Sequence, residues 1–161
     1  MTWMGHQPKD SGLNFCTARI ERWYERICEL DSGERHGTSI EMDADEFVVF
    51  FMFCYHLKDC IIKETDIPSN EVETFITQTP SLALCADIAN GTKHFGIDEG
   101  RSFRSRNDLR MRPCVRLEGD KVRPGLLITK NDGTQLHAID LARECMEKWV
   151  EFLTSHPQKE V

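Results

Sequence analysis

From Asn14 to Leu30 the residues Cys16, Ile20, Trp23, Ile27 and Leu30 recur at alternating spacings of four and three, with Glu21, Arg22, Glu25 and Arg26 between them. That period predicts an amphipathic helix with one buried stripe. The segment DSGERHGTS, with Gly33 and Gly37 as breakers, ends it. Asp43 or Asp45 is placed to cap the next helix, which the pattern carries to about Glu64. Its first half, around Phe47 to Tyr55, is apolar nearly all round, as a central bundle helix must be. Pro68 and Ser69 begin a short helix through about Thr77, and Thr79–Pro80 starts another that reaches Phe95.

Beyond Gly96 the texture changes to RSFRSRNDLRMRPCVRLEGDKVRPG. Val115 and Leu117 alternate with Arg116 and Glu118 before a Gly-Asp turn. Leu126 to Lys130, Asn-Asp-Gly at 131–133 and Thr134 to Ile139 then read as a β-hairpin. Asp140 is placed to cap a last helix with Leu141, Cys145, Trp149, Phe152 and Leu153 on its apolar side. The expected fold is therefore α+β and mainly α: four or five helices in a bundle, with a small antiparallel sheet before the C-terminal helix. A single domain is expected over 1–161, with the bundle at 14–95, a basic hairpin insertion at 101–139 and a closing helix at 140–156.

Composition sharpens this picture in two ways. The 161 residues carry 40% hydrophobic and 29% charged side chains, a globular balance with enough chain for a real core. The net charge of −7 is uneven: residues 1–100 hold 8 basic against 18 acidic groups, residues 101–130 hold 9 against 3, and residues 131–161 hold 3 against 6. An acidic body thus carries one basic segment. The seven cysteines are odd in number and form no Cys-x-x-Cys pair. Cys16, Cys28, Cys54, Cys60, Cys85 and Cys145 fall in helical apolar patterns, where free thiols behave as small hydrophobes. With no apolar signal core near Met1, a reducing cytoplasm is the expected compartment. The apolar run at Phe47 is broken by His56, Lys58 and Asp59, well short of the roughly 20 residues that a membrane span needs.

Three groups of residues could carry chemistry. Asp87, Asn90, Gly91 and His94 share one helical stripe, and His56, Asp59, Cys60 and Lys63 share another. If the two helices pack together, His56 and Asp59 face Asp87, Asn90 and His94, and Gly91 lets the backbones approach. Imidazoles fixed by carboxylates are the raw material of acid–base catalysis. A satisfied polar seam, or two separate solvent-facing stripes, would use the same residues. A zinc set drawn from His56, Cys60, Cys85 and His94 has suitable donor types, although Cys60 and Cys85 serve equally as core. The third group is Arg101, Arg104, Arg106, Arg110, Arg112, Arg116 and Arg123. Guanidinium groups suit bidentate phosphate contacts, which points to a nucleic-acid surface; pairing with the acidic body is the alternative. No phosphate loop, G-x-S-x-G elbow or paired metal-binding histidine motif occurs, so no cofactor or bound metal is expected.

HLKD at 56–59 and CADIANGTKHF at 85–95 resemble segments of the HEPN-like helical bundles of bacteria. The resemblance spans about residues 14–95 and the closing helix. It implies a protein of a bacterial defence or mobile-element system, often a homodimer, that binds RNA or a protein partner. Catalytic members are metal-independent ribonucleases with an Arg four to six positions before a His. Here Ile88, Ala89 and Asn90 occupy those positions before His94. The resemblance therefore implies a non-catalytic interaction or RNA-binding module, with the arginine segment as its contact surface. One alternative is a ribonuclease with His94 as acid–base, Asn90 or Asp87 orienting it, and Lys93 or an arginine steadying phosphate. A structural or immunity protein is the other.

Overall fold

A computed structural model describes residues 12–37, 39–94 and 109–157. In chain order the elements are α1 (Gly12–Ser32), α2 (Ile40–Glu64), α3 (Ser69–Gln78), α4 (Pro80–His94), β1 (Arg110–Glu118), β2 (Lys121–Thr129), β3 (Gln135–His137) and α5 (Ala138–Ser155). The fold is α+β and mainly α, with the three-stranded antiparallel sheet before the last helix. Among the described residues, no helix is long and apolar enough to cross a membrane.

The centre is α2. Phe47, Phe50, Phe51, Cys54, Leu57 and Ile61 are all buried, and α1, α3, α4, α5, β1 and β2 each pack against the helix. Its N-cap is Ser39, whose Oγ accepts from the Met42 N–H at 3.1 Å, so neither Asp43 nor Asp45 plays that part. Asp43 is buried and accepts instead from the Gly37 N–H at 2.6 Å. A Cβ on Gly37 would lie 2.2 Å from the same carboxylate oxygen, so only glycine lets that loop close.

α1 lies antiparallel to α2, with Trp23 stacked on Phe53, Tyr24 tilted on Phe50 and the Arg26 guanidinium on Glu46 at 2.8 Å. The same register sets Cys16 opposite Cys60, and the two are joined as a disulfide. This corrects the expectation that every helical cysteine is a free thiol. Cys28, Cys54, Cys85, Cys114 and Cys145 are free. α1 ends at Gly33, with φ +73°; Gly33 N–H donates to the Leu30 carbonyl and Glu34 N–H to that of Glu29. This is the helix ending for which a left-handed glycine is best suited.

β1 pairs with β2 from Arg110↔Thr129 to Glu118↔Lys121, and the Gly119–Asp120 turn between them has Gly119 at φ +64°. β2 pairs with β3 around Ile128↔Leu136. The third strand is shorter than the pattern predicts. Ala138 and Ile139 are buried in the first turn of α5, where they continue the stripe of Leu141, Ala142, Cys145 and Trp149. Asp140 accordingly lies inside that turn, and His137 occupies the cap position.

α5 closes the core through Trp149, which is wholly buried and donates its indole N–H to the Cys54 carbonyl at 3.1 Å. Phe75 of α3 stacks on Phe152 with ring centres 4.5 Å apart. At the end of α5, His156 Nε2 meets Glu71 of α3 at 2.6 Å.

Trp149→Phe removes both the indole donor and part of the ring. The expected cost is about 1–3 kcal/mol in urea unfolding, from a small cavity and a lost buried hydrogen bond.

The Phe152 carbonyl and the Glu71 carboxylate raise the His156 pKa above its ordinary 6.5. A raised folded value means that the contribution is complete below the ordinary value and fades as pH climbs through the folded one. His156 is half-buried but its partner Glu71 is exposed, so solvent screens the pair and the expected loss is under about 1 kcal/mol. It should be absent in His156→Ala, as read from unfolding midpoints across pH 5–8.

Candidate functional site

The two polar stripes come first, because α2 and α4 do pack together. They meet through Phe51 and Cys54 on one side and Cys85 on the other, with the Cys85 Sγ–H 3.4 Å from the Phe51 carbonyl. At about 100° per residue, His56 lies some 200° around α2 from Cys54, and Asp87 some 200° around α4 from Cys85. This seam is therefore built by thiols and the Phe51 ring, and it turns His56 and Asp87 away from it. His56 is half-buried beside Tyr55, with ring centres 6.0 Å apart, while Asp59 is exposed. Asp87 is half-buried and Asn90 exposed. The side chains of Lys93 and His94 lie outside what is described. A Cβ on Gly91 would meet no described atom within 4 Å, so Gly91 is not a point of close backbone approach.

The cysteines of the zinc set are committed elsewhere. Cys60 is bonded to Cys16, and Cys85 is in the core beside Cys54.

Of the arginine group, Arg101, Arg104 and Arg106 lie outside the described residues. Arg116 and Arg123 sit opposite each other on β1 and β2, and both reach Asp31 near the C-terminal end of α1. Arg123 Nη2 is 3.1 Å from Asp31 Oδ2, and its Nη1 also meets Glu118. These two guanidinium groups hold the hairpin against the body, so their charge is largely answered within the molecule. Gly33 completes this junction: a Cβ there would lie 2.9 Å from the Val122 carbonyl oxygen. Arg110 and Arg112 differ. They alternate along β1 and are exposed, and β1 is the outer strand of the sheet, hydrogen-bonded to β2 alone among the described residues. Val115, Leu117 and Val122 are exposed toward the far end of the same hairpin.

A grouping that the sequence did not reveal lies in the core. Cys54 of α2, Cys85 of α4 and Cys145 of α5 converge with all three Sγ atoms within 4.8 Å of one another. Each is at most 1% exposed. The Cys145 Sγ–H lies 3.4 Å from the Ser81 carbonyl, as the Cys85 Sγ–H does from that of Phe51. Burial in the apolar core favours the protonated thiol at Cys85 and raises its pKa well above the ordinary value.

No protein-family model matches the chain, and neither a curated protein nor a solved structure matches it.

Asp31→Ala should free the hairpin from α1 while leaving the helical core folded. The expected outcome is faster amide exchange confined mainly to β1 and β2, with helical circular dichroism retained. Uniform protection across the chain would show that Asp31 is not the anchor.

Proposed function

We propose that the chain is a non-catalytic binding module whose contact surface for RNA is the outer strand of the hairpin. The observation that carries this reading is the contrast among the arginines. Arg116 and Arg123 are committed to Asp31, whereas Arg110 and Arg112 stand exposed on a strand that has one side free of described neighbours. They continue a segment, 101–130, whose 9 basic groups face only 3 acidic ones in a chain of net charge −7. A polyanion gains from such a local excess, and guanidinium groups fit phosphate oxygens in pairs.

The acidic remainder of the chain restricts contact to this patch, since phosphate would be repelled elsewhere. The HEPN-like segments HLKD and CADIANGTKHF favour RNA as the polyanion and a homodimer as the working form. The lack of an arginine before His94 favours binding over cleavage.

The test is RNA binding by the intact chain across a salt series. Affinity should fall steeply with salt, and Arg110→Ala with Arg112→Ala should flatten the log–log slope by roughly 1.4, two phosphate contacts at about 0.7 each for single strands. The folded state should be untouched, as both side chains are exposed. Binding that ignores salt, or that survives both substitutions unchanged, overturns the proposal. Cleavage of RNA in the presence of chelator, lost in His94→Ala, would replace it with the ribonuclease reading.

A further inference from the structure

We propose that Cys54, Cys85 and Cys145 form a three-sulfur site for a trivalent thiophilic metalloid, with arsenic(III) as its representative. The geometry comes first. Three helices each deliver one sulfur to a single point in the core, and the three sulfurs lie within 4.8 Å of one another. With metal–sulfur bonds of about 2.3 Å, a three-coordinate centre needs sulfurs at most about 4 Å apart, which is within reach of modest side-chain rotation. Among the described residues no His, Asp or Glu joins the group, so the site offers three ligands and no fourth.

Coordination number and charge then select the occupant. Zinc in a closed protein site takes four ligands, and three thiolates around it would leave one net negative charge. Copper(I), which also favours thiolates, would leave two. Each of these residues is at most 1% exposed, and a net charge at that depth is heavily penalised. Arsenic(III) with three thiolates is neutral, and its lone pair fills the remaining position.

The uptake reaction balances without any redox partner. Arsenous acid, As(OH)3, is uncharged at neutral pH. Three As–S bonds form as three As–O bonds break, and each thiol proton leaves with a hydroxyl group as water. Arsenic stays trivalent and the sulfurs are not oxidised. The S–H groups of Cys85 and Cys145, now within 3.4 Å of the Phe51 and Ser81 carbonyls, give up those weak contacts. The other cysteines do not compete as a set: Cys16 and Cys60 are joined to each other, and Cys28 and Cys114 sit on α1 and β1, outside the cluster. Entry requires α5 or α4 to part briefly from α2, so binding should be slow.

The experiment titrates the full chain, disulfide intact, with arsenite at neutral pH. Intact-mass spectrometry should show one adduct equal to arsenic less three hydrogens. X-ray absorption on the same sample should find three sulfur neighbours and no oxygen. Alkylation after unfolding should then find Cys54, Cys85 and Cys145 protected, and Cys28 and Cys114 modified. Cys54→Ala, Cys85→Ala or Cys145→Ala should each lose the three-sulfur signature, whereas Cys28→Ala with Cys114→Ala should keep it. If the core variants do not fold, the wild-type absorption spectrum decides alone. No adduct, an arsenic that retains oxygen, an adduct at Cys28 or Cys114, or uptake of zinc or copper(I) in place of arsenite overturns the proposal.

Discussion

A helix that carries Phe47, Phe50, Phe51, Cys54, Leu57 and Ile61 out of water must be enclosed from several directions at once. An amphipathic helix needs one neighbour, but α2 needs a surrounding shell. α1 covers one flank, α4 and α5 another, and the sheet a third. The acidic and basic groups are displaced to the rims of these contacts, where Glu46 meets Arg26 and Arg35, and Asp31 meets the hairpin. Every candidate for function is a by-product of how α2 is covered.

That constraint explains why the thiols meet while His56 and Asp87 turn away from them. Where α2, α4 and α5 converge in a crowded core, small side chains fit where larger ones would not. Cysteine at 54, 85 and 145 meets that demand and brings a polarizable sulfur with it. His56 and Asp87 are turned away by the same packing, because a helix face that buries Cys54 or Cys85 cannot also present the residue two places on. Steric fit in the centre thus decides which chemistry is gathered and which is dispersed.

Local signals in the chain were easy to read. The four-and-three spacing from Cys16 to Leu30 yields α1, the apolar run at Phe47 yields a central helix, and Asn-Asp-Gly at 131–133 marks the second turn. Boundaries slipped where a neighbouring group competed for the same role. Ser39 took the cap that Asp43 could have filled, because Asp43 was drawn to the Gly37 amide. Ala138 and Ile139 suit a strand by pattern, yet the buried stripe of α5 claimed them. Pairings between distant residues had no local trace. Nothing near Cys16 or Cys60 says that antiparallel helices will set them side by side. Nothing near Asp31 says that two arginines some ninety positions later will close on it. Cys54, Cys85 and Cys145 each read correctly as core, but their convergence depends on which helices touch.

The outer strand of the sheet has one more consequence. An edge with free amides is a template on which a second copy of the same strand could grow, and long chains of such pairings are how soluble proteins become fibres. β1 is poorly suited to that fate. Pro113, near its middle, has no N–H to lend, and the exposed Arg110 and Arg112 would set like charges against like in any self-pairing. The exposed arginines proposed to meet phosphate thus also keep the strand from recruiting itself.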